Sequence, residues 1–124
     1  MAAAKGKKGL WVGVGAGGLV ATSPDGITWT SQTGSSTRDW NDVTWAANMF
    51  VAVGGGSGSG TRLMTSPDGI NWSSPILSGS QVWKAVAYGK DGFNNYRFLA
   101  IGNGKSVTSP DGGTWTLSNV NPPV

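Results

Sequence analysis

The sequence predicts an all-β chain of three four-stranded repeats, and three observations carry that expectation. The segment Ser-Pro-Asp-Gly-x-x-Trp occurs at residues 23–29, 66–72 and 109–115, each copy 43 residues after the last and each preceded by threonine. Short runs of β-branched and aromatic residues recur around each copy, bounded by Gly, Pro, Asn and Asp. No apolar period of 3.6 residues persists for two turns of helix.

The repeated segment reverses the chain. Pro24 presets φ near −65°, which suits the second position of a type I turn. The Asp25 carboxylate can fold back onto N–H groups of its own turn, and Gly26 can take the positive φ that follows. Ser23, Asp25, Gly26 and Trp29 thus form a structural turn, repeated by Ser66, Asp68, Gly69 and Trp72, and by Ser109, Asp111, Gly112 and Trp115. Each tryptophan is expected on the strand leaving the turn, as a buried apolar plate of about 150–250 Å². The aspartates read as turn clips rather than catalytic groups.

Taken in order, each unit has strands A to D. In the second unit these are expected at residues 40–46, 50–53, 62–65 and 70–73; in the third at 83–88, 98–101, 106–108 and 114–117. In the first, B, C and D fall at 11–14, 19–22 and 27–30. Its A strand is expected as a remnant within residues 2–7, with the tryptophan that opens A elsewhere lying before Met1. The units span residues 1–30, 40–73 and 83–118 of a single repeat domain. The B–C turn is long in unit two and the A–B turn long in unit three, so the equal spacing comes from offsetting insertions, as in a diverged natural repeat.

Composition excludes several functions. The 124 residues suit one modest domain. There is no Cys, no His and no Glu, so a disulfide framework and the usual zinc and nucleophile chemistries are missing. No cofactor and no metal are expected. The net charge of +3 reflects scarce acids, and only Lys5, Lys7 and Lys8 cluster. Without a basic stripe interleaved with aromatics, no nucleic-acid partner is expected. The lysines before the apolar run at residues 10–21 give the outline of a signal peptide. That run, however, matches two interior segments, residues 49–54 and 97–102, and so reads as part of the fold. It is too short and glycine-rich to span a membrane, and no membrane partner is expected. Gly13-Val-Gly-Ala-Gly-Gly satisfies a dinucleotide-loop pattern, but no helix follows, and it reads as a hairpin.

The repeats resemble the Asp-box, or BNR-type, blades of β-propellers, best known from sialidases and also found in bacterial and phage proteins. The resemblance covers nearly the whole chain and rests on three in-register Ser-x-Asp-Gly-x-x-Trp boxes, each one residue shorter between Asp and Trp than the usual Asp box. It implies four-stranded blades around an axis, four to eight to a ring. Three blades cannot close a ring and would leave faces and edges bare. A homodimer with two-fold symmetry would give six, closed by non-covalent contacts. A monomeric β-trefoil, with three four-stranded repeats in about this length, is the alternative; a three-sheet β-prism is another.

The resemblance further implies that a site lies on the D–A and B–C side, away from the boxes. There the candidate ligand-binding residues are Arg38, Trp40, Asn41 and Asp42, with Trp83 and Lys84 from the next unit; Asp39 and Gln81 lie beside them. Tryptophan with Asn, Asp and Arg could stack on and hydrogen-bond a glycan or other polar ligand, or Trp40 and Trp83 could simply pack between blades. Glycoside hydrolysis needs two opposed carboxylates, and only Asp39, Asp42 and Asp91 stand outside the boxes. The expected function is therefore a non-catalytic interaction or assembly module. The alternative is a purely structural set of blades from a larger phage or bacterial propeller or an engineered one; a glycosidase comes last. Location is left open, with a virion or extracellular setting compatible.

Overall fold

A computed structural model describes residues 2–56, 62–75 and 81–120. The expected turn at 57–61, much of the 74–82 connection and the tail beyond residue 120 lie outside them. The described residues form no α-helix, only two 3-10 turns at Lys7–Gly9 and Ala16–Gly18. The strands fall into three antiparallel sheets, one per repeat.

Sheet 1 holds β1 (Ala2–Lys5), β2 (Trp11–Val14), β3 (Val20–Ser23) and β4 (Thr30–Gln32) in sequence order. Sheet 2 holds β5 (Asp39–Ala46), β6 (Met49–Gly55) and β7 (Leu63–Ser66), and sheet 3 holds β8 (Trp83–Lys90), β9 (Tyr96–Gly102), β10 (Lys105–Ser109) and β11 (Thr116–Asn119). The apolar run at residues 10–21 supplies β2 and the start of β3, and the glycine-rich pattern inside it is a hairpin in which Gly15 N–H donates to the Leu19 carbonyl. Among the described residues strand pairing stays within each repeat, unlike the shared barrel of a trefoil.

Two expectations for strand D are corrected. Strands β4 and β11 begin after the box tryptophan, because the aspartate clip keeps the chain turning until then. Among the described residues sheet 2 has no fourth strand: residues 70–73 contribute one bridge, in which Thr65 and Ser73 exchange both backbone hydrogen bonds at 2.8 Å. Two residues on, where β4 continues its ladder with Gln32, stands Pro75, which has no N–H to donate.

The sheets stack in file. One core cluster joins sheets 1 and 2 through Val12, Val14, Val20, Val43, Phe50 and Met64. A second joins sheets 2 and 3 through Val51, Val53, Leu63, Val86, Phe98 and Val107. Alternation makes this possible: Phe50 and Ala52 of β6 face sheet 1 while Val51 and Val53 face sheet 3. Among the described residues no core cluster joins sheet 1 to sheet 3.

Candidate functional site

The three boxes share one hydrogen-bond pattern. In each, the serine hydroxyl accepts from the glycine N–H at 2.7–2.8 Å and donates to the aspartate Oδ1. That Oδ1 accepts in turn from the backbone N–H groups two and three residues on, such as Ile70 at 2.9 Å and Asn71 at 2.8 Å. All three serines are fully buried. The N–H of Asn71, then that of Ile70, stabilises the charged Asp68 and lowers its carboxyl from 3.8 to about 2. Asp25 and Asp111 are lowered by the matching groups, Thr28 then Ile27, and Thr114 then Gly113.

The tryptophans of the boxes differ by unit. Trp72 and Trp115 are half-buried, each with its indole N–H on the carbonyl of the box glycine and its ring near Phe50 or Phe98. Trp29 is 37% exposed, short of the buried plate expected, because none of the described sheets lies against that face of unit one. The glycines show the same asymmetry. A Cβ on Gly69 would meet Val12 Cγ2 of sheet 1 at 2.6 Å, and one on Gly112 would meet Met49 Sδ of sheet 2 at 2.3 Å. On Gly26 it would meet only Trp11 Nε1, at 4.0 Å.

Most of the residues expected to bind a ligand lie where sheets meet. Trp40 and Trp83 are 3% and 1% exposed, which leaves neither ring a face for a ligand. A bulge follows each, at the same register in β5 and β8. The first turns Asn41 toward sheet 3, where its Nδ2 donates to the Trp83 carbonyl at 2.7 Å. Asp42 accepts from Val43 N–H through one oxygen and from Val86 N–H of sheet 3 through the other. Asp39 accepts from Gly17 N–H at 2.7 Å, and Arg38 reaches the Gly56 carbonyl. Lys84 is exposed and Gln81 half-buried. The buried indole N–H groups of Trp40 and Trp83 have no hydrogen-bond partner among the described residues.

Two cavities lie elsewhere. The first, about 390 Å³, opens beside the box of unit two, between it and the A–B turns of units one and two; Lys7, Trp45, Phe50, Asp68 and Ile70 line it. Trp45 and Phe50 form its aromatic wall, their ring centroids 4.6 Å apart. Sequence reasoning passed over Trp45 because the resemblance directs attention to the opposite side. Its signal was there: the repeat has no tryptophan at the equivalent positions, Lys5 and Tyr88. The second cavity, about 280 Å³, lies on the outer face of sheet 3 and is lined by Ala87, Lys90, Asp91, Arg97, Leu99 and Thr108 among others. There Asp91 accepts from the N–H groups of Asn95 and Phe93 and from Arg97 Nε, all of which lower its carboxyl.

Among the described residues no three metal-ligating side chains cluster, and no helix is long and apolar enough to cross a membrane. No model of a known protein family matches the chain, and no curated protein sequence does.

Proposed function

We propose that this chain is a non-catalytic β-propeller interaction module that works as a ring of two copies, three blades from each. One observation carries the reading: a register position covered in the first two repeats is bare in the third. Val12 and Val51 are fully buried by the next sheet, whereas Leu99, at the same place in sheet 3, is 41% exposed. Exposed apolar faces on a sheet call for a covering partner. The aspartates support a non-catalytic role, since all six accept backbone N–H groups at the turns and junctions described above. Light scattering should give a molar mass of twice 12.7 kDa. A monomer at every concentration would refute the ring.

A second reading, glycan binding by the same module, is favoured by the 390 Å³ cavity. An aromatic wall with a cation and a carboxylate beside it suits a polar, ring-shaped ligand. A glycan array tests it with two variants. Loss of signal in Trp45→Ala supports the cavity, and loss only in Lys84→Ala, at an exposed position of the opposite face, returns the site there.

A further inference from the structure

Resting on the two-copy ring, the geometry points to one mating pattern: the turn at residues 23–29 of each copy seats in the 280 Å³ cavity on the outer face of the other copy's sheet 3. The outer face of sheet 1 then covers the outer face of sheet 3. Both junctions are of this kind and are related by a two-fold axis.

The junction between units one and two supplies the template. The box glycine of unit two, Gly69, lies against Val12 and Thr22 of sheet 1, so close that a Cβ there would be 2.6 and 3.5 Å from their methyl carbons. Val12 and Thr22 are cross-strand partners, as are Leu99 and Thr108 in sheet 3. The latter pair lines the cavity, where no box turn sits. Unit one has the converse arrangement, since Gly26 meets no preceding sheet. A socket without its turn and a turn without its socket therefore occupy opposite ends of one molecule. A surface and its complement at opposite ends are satisfied by a second copy of the same chain.

Charge follows the same register. Asp68 and Lys7 share the cavity between units one and two. Lys90 stands two residues past Tyr88, as Lys7 stands two past its register-equivalent Lys5, and it lines the empty socket. The arriving carboxylate is Asp25. Closing by two junctions at once divides between them the roughly 1,600 Å² that a standard interface buries.

Two exposed positions test the pattern without entering the core of either copy. Leu99 lies on the outer face of sheet 3. Ala3 lies on that of sheet 1, at the register of the buried Val43 and Val86. By light scattering, Leu99→Asp and Ala3→Asp should each halve the molar mass while keeping a wild-type far-ultraviolet spectrum. Mixed together, they should recover a dimer, because one junction of the mixed pair is free of both substitutions. Leu99→Lys should behave as Leu99→Asp does. A wild-type monomer overturns the ring itself. A wild-type dimer that survives both single substitutions leaves the ring standing and overturns this mating pattern, as does a mixture that stays monomeric. Wild-type assemblies that lengthen with concentration overturn closure by two.

Discussion

In the box, the serine hydroxyl serves two N–H donors and the aspartate at once, and in units two and three its bond to the glycine N–H is buried. Ser66→Ala leaves the Gly69 N–H buried without an acceptor, and should cost about 1–3 kcal/mol in urea unfolding. Ser23→Ala should cost less in a monomeric preparation, because Gly26 is exposed and water can replace the hydroxyl. Acid acts on the same turns. The Asp68 carboxyl is lowered from 3.8 to about 2 on folding, so the stability it adds is full above pH 3.8 and fades as pH falls toward 2. Acid unfolding followed by tryptophan fluorescence should lie in that window, and Asp68→Asn should make its pH dependence shallower. The aspartate's place in the turn is legible in the sequence, because Asp after Pro and before Gly has few other conformations to favour. The serine's role is not, since it depends on which N–H groups become buried.

Among the elements, the A–B hairpin of sheet 2 is the most revealing. Ala46 pairs with Met49, leaving a two-residue loop with φ of 50° at Ala47 and 62° at Asn48. This is the geometry of a type I′ turn, which suits asparagine and glycine better than alanine. Ala47 is exposed, so Ala47→Gly should relieve strain without disturbing packing. A gain of about 0.5–1 kcal/mol is expected, read as a higher melting temperature. Eleven of the twelve expected strands appear within two or three residues of their expected positions, since alternation and turn residues are local signals. Strand D of unit two is the exception: the motif that predicts it is intact, but a ladder needs an N–H on each partner, and Pro75 supplies none.

For the whole molecule, the decisive feature is that three sheets in file have two ends. Inside the file, Val12, Val51, Phe50 and Phe98 are all buried; at the ends, Leu99 and Trp29 are exposed. If two copies close these ends, folding and association are linked, and the melting temperature should rise with protein concentration. Differential scanning calorimetry over a hundredfold range of concentration checks this, and an invariant midpoint would argue against association. Leu99→Asp should abolish the dependence.

Local chemistry sets the three repeats, their turns and their strand order: proline, glycine and alternating side chains restrict the backbone without distant contacts. What lies against each repeat was decided by packing between them. It buried Trp40 and Trp83, which composition alone leaves free to bind, and it committed Asn41 and Asp42 to joining sheets. It also separated residues identical by motif, covering Gly69 and leaving Gly26 open. The reason is physical: equivalent positions in a repeat differ only in what lies against them, and a covering sheet is a long-range fact.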